Sequence, residues 1–205
     1  MSLNARHLSC IRQDRLIFKN ISFSLNSGEV LWIKGKNGAG KSSLLRIIAG
    51  LLKPIQGEIL WQGENVKDDP DIFQNQFRYI AHQDALKPAL TGTENLRFWS
   101  QYFGTDNVPA ALKEFELERI ADVPTGIMSA GQKKRTNLAR LIACPAPLWI
   151  LDEPVSSLDT HYIALFRNQL VRHVKNGGMA VLATHQDLEL DFIQMLDLDA
   201  ERGKS

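Results

Sequence analysis

Gly35, Lys36, Asn37, Gly38, Ala39, Gly40, Lys41 and Ser42 stand consecutively and fit the pattern G-x-x-x-x-G-K-[ST], whose chemistry is the holding of a polyphosphate. Glycines let backbone N–H groups converge on phosphate oxygens without a side chain in the way, and a helix starting at the end of the loop adds its positive pole. Lys41 brings a mobile ammonium to the outer phosphates, and Ser42 offers a hydroxyl to Mg²⁺, a cation that takes oxygen ligands and keeps several waters. Ser43 follows as a further nucleotide-side residue. A second group lies at Asp152-Glu153-Pro154, where Asp152 is expected to hold Mg²⁺ through water and Glu153 to accept a proton from an attacking water. His185 is the third, a side chain that can hydrogen-bond a γ-phosphate and orient the water. His7, His161 and His173 read as structural.

The elements needed to position these groups are present in the sequence. Residues 29–33 form a short apolar run ahead of the loop, and Leu44, Leu45, Ile47, Ile48, Leu51 and Leu52 recur at helical spacing after it until Pro54. Residues 148–151 are a second apolar run, which puts Asp152 and Glu153 at the C-terminal end of a strand, where open α/β sheets place their ligands. A third run, 179–184, carries His185 to the same edge.

A chain of 205 residues with 44% apolar content suits one globular domain, or one domain with an inserted lobe. Its 24 basic and 23 acidic side chains leave a formal charge of +1, so nucleic acid is disfavoured as the main partner. No stretch approaches the ~18 apolar residues of a membrane span, and residues 1–7 lack the apolar run of a signal peptide, so a cytoplasmic location is expected. Cys10 and Cys144 lie in apolar surroundings without a metal-ligand cluster, and Cys144-Pro145 reads as a turn.

Between Gln83 and Ser129 the sequence turns helical, with stretches at 93–103, capped by Thr93, and 109–121. Leu96, Phe98, Trp99, Tyr102 and Phe103 cover more than one helix face. They serve either as the core of a small lobe or as a surface for a partner helix, and periodicity does not separate the two.

With these motifs in order, essentially the whole chain resembles the ATP-binding cassette family. Met128-Ser129-Ala130-Gly131-Gln132 looks like the signature loop, Gln83 falls at the Q-loop, and Ser157-Leu158-Asp159 resembles the D-loop. The resemblance implies an α/β P-loop NTPase fold of ABC-ATPase type, with a mixed-sheet core and an inserted helical lobe. It implies a single nucleotide-binding domain over 2–203, with the core at about 2–83 and 129–203 and the lobe at about 84–128. Gln83 would then join Glu153 and His185 in catalysis, and Ser42 and Asp152 at Mg²⁺. Two copies would dimerise head to tail around two ATP molecules, with Ser129, Ala130, Gly131 and Gln132 of one copy facing the γ-phosphate held by the other. Two departures stand out. Ala130 replaces a glycine, so a positive φ there would be strained. Arg12 occupies the place of an aromatic that stacks on adenine, and its guanidinium is expected to stack instead.

Within the family, the spellings Ile59-Leu60-Trp61-Gln62-Gly63, His82-Gln83, Ser129-Ala130-Gly131-Gln132 and Thr184-His185-Gln186 resemble the ATPase subunits of the haem exporter of cytochrome c maturation. That resemblance implies an ATPase peripheral to the cytoplasmic face of the cell inner membrane. Its partners would be a CcmB-like integral membrane subunit, gripped near Gln83, with CcmC-like and haem-chaperone CcmE-like proteins. Its work would be ATP-driven haem export or release of the haem-loaded chaperone. None of these spellings touches haem chemistry. A small exporter of lipid, peptide or drug would share every catalytic residue. A soluble cassette protein usually carries tandem cassettes, a coiled-coil insertion or a basic arm, and the sequence has none.

Overall fold

Successive side chains along the apolar runs point to opposite faces of a strand, and in these runs both faces are buried. The computed structural model describes residues 1–190 and 193–202; residue 203, the expected upper bound of the domain, lies outside them. In chain order the elements are β1 (Ser2–Arg12), β2 (Arg15–Asn26), β3 (Val30–Lys34), α1 (Lys41–Ile48), β4 (Gln56–Trp61), β5 (Glu64–Asn65), α2 (Pro70–Asn75), β6 (Phe77–Ile80), α3 (Gly92–Tyr102) and α4 (Val108–Glu114). There follow α5 (Ala130–Ala143), β7 (Leu148–Asp152), α6 (Thr160–Lys175), β8 (Met179–Ala183), β9 (Ile193–Asp197) and α7 (Leu198–Arg202), with short 3-10 turns at Glu118–Ile120 and Thr125–Ile127.

The α/β expectation holds, and the sheet content resolves into two sheets. One is antiparallel with order β2-β1-β4-β5, and the other has five strands with order β6-β7-β8-β3-β9, all its pairs parallel. Leu31 and Ile33 of β3, Leu148 and Ile150 of β7, and Met179 and Val181 of β8 bury on the face shared with α1 and the antiparallel sheet. Val30, Trp32, Trp149, Leu151, Ala180 and Leu182 bury on the other face, with side chains of α3, α4, α5 and α6. The parallel strands therefore read as continuous apolar runs because helices or a second sheet cover both faces.

Three expected boundaries move. The helix after the phosphate loop stops at Ile48, because Gly50 takes a left-handed conformation (φ +70°) and ends it; Leu51 is 63% exposed. The cap of α3 is Thr91, not Thr93: Thr91 Oγ1 accepts from Glu94 N–H at 3.1 Å, and the Glu94 carboxylate accepts from Thr91 N–H at 2.8 Å. Thr93 donates its hydroxyl to Ala121 O instead. The stretch 109–121 divides into α4 and a 3-10 turn, with Glu116 at φ +51° between them.

Candidate nucleotide-binding site

Parallel pairing brings the phosphate loop and both catalytic strands to one edge. Ile33 pairs with Ala183, and Ala183 pairs with Asp152, so the ends of β3, β8 and β7 deliver the loop, His185 and Glu153 to the same place. Gly40 caps α1 at φ +105°, and a Cβ there would lie 2.4 Å from Ile17 Cγ2 and 3.1 Å from Phe18 Cδ1. Glycine is thus required at this position by both conformation and space. The loop, Ser42, Ser43, His82, Asp152, Glu153 and Ile17 enclose a cavity of about 370 Å³.

Lys41 Nζ donates to Gly35 O at 2.7 Å and to Lys36 O at 3.3 Å, and lies 3.3 Å from His185 Nε2. His185 Nε2 is also 3.0 Å from Asn37 Oδ1 and 3.6 Å from Glu153 Oε1. Three of the residues singled out for chemistry therefore meet around one imidazole nitrogen. Trp32 Nε1 donates to Thr184 O at 2.9 Å and anchors the turn that carries His185. Asp152 is buried, at 3% exposure. Glu153 has φ +50°, a strained conformation for a side-chain-bearing residue, which costs about 1 kcal/mol or more. It is held there by Glu153 N–H donating to Ala183 O at 2.8 Å, and by Ser156, which donates to Glu153 O through its N–H at 3.3 Å and its hydroxyl at 3.0 Å.

Gln83, expected at this site, is exposed and does not line the cavity; its neighbour His82 does. Arg12 is exposed at the tight turn between β1 and β2, paired with Arg15, and it is Ile17 that reaches the cavity. Ser129, Ala130, Gly131 and Gln132 open α5 away from the cavity lining. Ser129 Oγ accepts from Gln132 N–H at 3.2 Å, and Gln132 Oε1 accepts from Ser129 N–H at 2.8 Å. Ala130 is the first helical residue and has no positive φ, so its methyl group brings no backbone strain.

The sequence reading missed a polar row on α5. Lys134, Asn137 and Arg140 lie at helical spacing on one face and are 3%, 0% and 8% exposed. Lys134 donates to His82 O at 3.3 Å, Asn137 Nδ2 to Asp84 Oδ1 at 3.1 Å, and Arg140 to Asn137 Oδ1 at 2.9 Å. Arg140 packs 4.2 Å over the Trp99 ring, and burial lowers its pKa to about 10. The helical periodicity of three polar residues was a visible signal, but an exposed helix face shows the same pattern.

Arg140 opens onto a second cavity of about 700 Å³, walled by Tyr79, Phe98, Trp99, Tyr102 and Phe103, with Arg78 3.5 Å over the Phe103 ring. The apolar side chains of α3 thus divide. Leu96 is fully buried in the core, whereas Phe98 and Tyr102 are 41% and 70% exposed on the groove. Among the described residues, no helix is long and apolar enough to cross a membrane.

Residues 18–156 match the ABC transporter family. The chain is 46% identical over 204 residues to the cytochrome c biogenesis ATP-binding export protein CcmA of Paramagnetospirillum magneticum, a match covering 97% of this chain and 94% of that one. It is 40% identical over 188 residues to the protein of the same name from Escherichia coli K12, covering 92% and 91%. Among solved structures, the ATP-binding subunit of an ABC transporter superposes with a TM-score of 0.83 at 29% identity, over 90% of this chain and 80% of that one. A putative ABC transporter ATP-binding protein from Pyrococcus furiosus shares the fold, with a TM-score of 0.84 at 21% identity over 98% of each chain.

Proposed function

The chain belongs to the ABC transporter family, and we propose that it is the ATP-hydrolysing subunit of an ABC complex in cytochrome c biogenesis, coupling ATP hydrolysis to haem export or to release of a haem-loaded chaperone. The observation that carries the ATPase reading is the meeting of Lys41, Glu153 and His185 at one sheet edge. The pathway rests on the 46% and 40% identity to proteins named CcmA over most of the chain.

In this reading Lys41 keeps Gly35 O as one partner and turns its remaining N–H donors to the β- and γ-phosphate oxygens, where a charge-assisted contact is stronger. The N-terminal N–H groups of α1 face the same phosphates. Ser42 and buried Asp152 are oxygen donors on one cavity, the donor type Mg²⁺ takes, and would hold it directly and through water. A bound Mg²⁺ would supply charge neutralisation for the phosphates. Glu153 accepts the proton of the attacking water as its oxygen bonds to phosphorus and ADP leaves. His185 turns its imidazole from Asn37 and Lys41 toward the γ-phosphate and steadies the water. Gln83, next to the cavity-lining His82, is assigned to the metal and water. Arg12 is assigned to the adenine face.

The assembly in this reading is a head-to-tail homodimer, in which Ser129 to Gln132 of each copy complete the site of the other. Residues 2–203 act as one nucleotide-binding domain, with 84–128 as its lobe. The aromatic groove beside Arg78 and Arg140 takes a cytoplasmic segment of a CcmB-like membrane subunit, whose carboxylates would meet two guanidiniums that have no acidic hydrogen-bond partner among the described residues. CcmC-like and CcmE-like proteins complete the complex at the cytoplasmic face of the inner membrane.

The test is affinity purification of tagged protein from detergent-solubilised membranes, with identification of co-purifying proteins by mass spectrometry. Recovery of CcmB-like and CcmC-like proteins, lost on Tyr102→Asp, supports the reading. Recovery of an unrelated permease would keep the motor and discard haem.

A further inference from the structure

The N–H of Lys36 and the C=O of Gly35 belong to one peptide plane, and that plane is bonded at both edges. Its N–H donates to Asp199 Oδ2 at 2.8 Å, and its C=O accepts from Lys41 Nζ at 2.7 Å. A carboxylate 163 positions along the chain thus grips the phosphate loop at the peptide that receives the catalytic ammonium.

Three features make Asp199 the device that orients this plane. First, Gly35 has no Cβ and lies at φ +147°, so local sterics restrain rotation of the plane little. A Cβ at Gly35 would lie 2.9 Å from Ala39 Cβ, which keeps glycine there and leaves orientation to hydrogen bonds. Second, the turn that presents Asp199 is itself fixed. Leu198 is fully buried in the core, and Asp197 Oδ1 accepts the N–H groups of Asp199 at 2.9 Å and Ala200 at 3.4 Å. Third, an anion on the N–H edge polarises the amide and strengthens the carbonyl as an acceptor for a cation on the opposite edge. The sequence of charges is carboxylate, peptide dipole, ammonium, each oriented to favour the next.

We infer that Asp199 is a positioning residue for the phosphate-binding lysine: it holds the Gly35–Lys36 peptide with its carbonyl toward Lys41, and so sets where the ammonium stands when the outer phosphates arrive. The inference rests on the reading of Lys41 as a phosphate ligand. Asp199 acts through the peptide and touches no reacting atom.

The test is calorimetric binding of the magnesium complex of a non-hydrolysable ATP analogue to the full chain, paired with steady-state ATPase kinetics. Asp199→Ala leaves the Lys36 N–H to water and is expected to weaken binding about tenfold, the scale of a hydrogen bond to a charged group at a partly exposed site. Turnover at saturation should stay within about twofold, since the proton acceptor is untouched. Asp199→Asn keeps an acceptor of the same shape without the charge, and should weaken binding about threefold. In a Lys41→Ala background neither change should move affinity by more than about twofold, because the ammonium through which Asp199 acts is gone.

Unchanged affinity in Asp199→Ala would overturn the inference. So would an equal loss with and without Lys41, which would make Asp199 a support for the loop as a whole. If Asp199→Ala lowers the melting temperature, Asp199→Asn, which preserves shape and packing, decides in the same two backgrounds. Lys41→Ala binding as tightly as the wild type would remove the phosphate reading itself, an outcome distinct from failure of the Asp199 arm alone.

Discussion

Asp84 Oδ1 lies 3.3 Å from Lys134 Nζ and accepts a second hydrogen bond from Asn137 Nδ2 at 3.1 Å, so one carboxylate of the loop after β6 joins two buried side chains of α5. Because Lys134 also holds His82 O and Arg140 holds Asn137, polar contacts run from the nucleotide cavity to the aromatic groove. The loop from 81 to 90 has no helix or strand of its own, and these bonds hold its first half in place.

Removing the carboxylate with Asp84→Ala leaves the buried Lys134 charge with His82 O but without its anionic partner. Loss of one member of a fully buried pair costs ~3–5 kcal/mol; with the Asp84 side chain 24% exposed, about 2 kcal/mol is expected. Urea denaturation of the single variant and of Asp84→Ala/Lys134→Met reads this out. The double variant should recover at least half of the lost stability, and a fully additive loss would show that the two groups act separately.

Glu153→Gln should bind ATP as the wild type does yet turn it over at least about a hundredfold more slowly, since the side chain keeps its shape and loses its proton affinity. Phosphate release checks this, and wild-type turnover would remove Glu153 from the role.

Gly40→Ala places a methyl group 2.4 Å from Ile17 Cγ2 on a backbone at φ +105°. Both the clash and the left-handed conformation oppose it, so nucleotide binding should fall about tenfold or more and the melting temperature should drop. Calorimetric titration and thermal unfolding would reveal either loss.

Ile17 lines the nucleotide cavity and Arg12 does not. Ile17→Ala is therefore expected to raise the dissociation constant for ATP about tenfold by removing apolar contact, and Arg12→Ala about twofold. An effect of Arg12→Ala equal to that of Ile17→Ala would restore the guanidinium as the main adenine contact.

His173 stacks 3.9 Å from Trp149 at an interplanar angle of 5°, and burial holds its pKa below the ordinary 6.5, against backbone carbonyls that raise it. A depressed histidine is neutral in the folded chain while the unfolded chain still takes up a proton. Its stability contribution is therefore whole above pH 6.5 and declines as the pH falls below that value. His173→Gln should flatten the acid side of the stability profile by at most about 1.4 kcal/mol per pH unit. An unaltered slope between pH 6.5 and 5 would assign the acid lability to other groups.

The phosphate loop, the acidic strand end and the strand before His185 were legible in the sequence because each is a contiguous segment whose chemistry and periodicity are local. The break at Gly50 and the Thr91–Glu94 capping box were equally local, visible as a glycine after an apolar helix and as a T-x-x-E spacing, although the apolar pattern read alone ran past the first and put the cap two residues late. The apolar side chains of α3 could not be divided between core and groove, because periodicity reports a helix face without saying what covers it.

What the sequence by itself determined is the nucleotide chemistry: eight consecutive residues contain the groups and the backbone freedom that a polyphosphate needs, whatever lies around them. The tertiary structure alone decided which charges would govern those groups. Asp199 is one of 23 acidic side chains, and nothing in its neighbours distinguishes it. It reaches Lys36 because β9 pairs with β3 on the parallel sheet and sets α7 against the loop. Asp84 finds Lys134 for the same reason, since packing of α5 beneath β6 buries the ammonium and makes one carboxylate indispensable. Such partners are products of burial and strand order, which sum interactions over the whole chain and leave no trace in any short window of it.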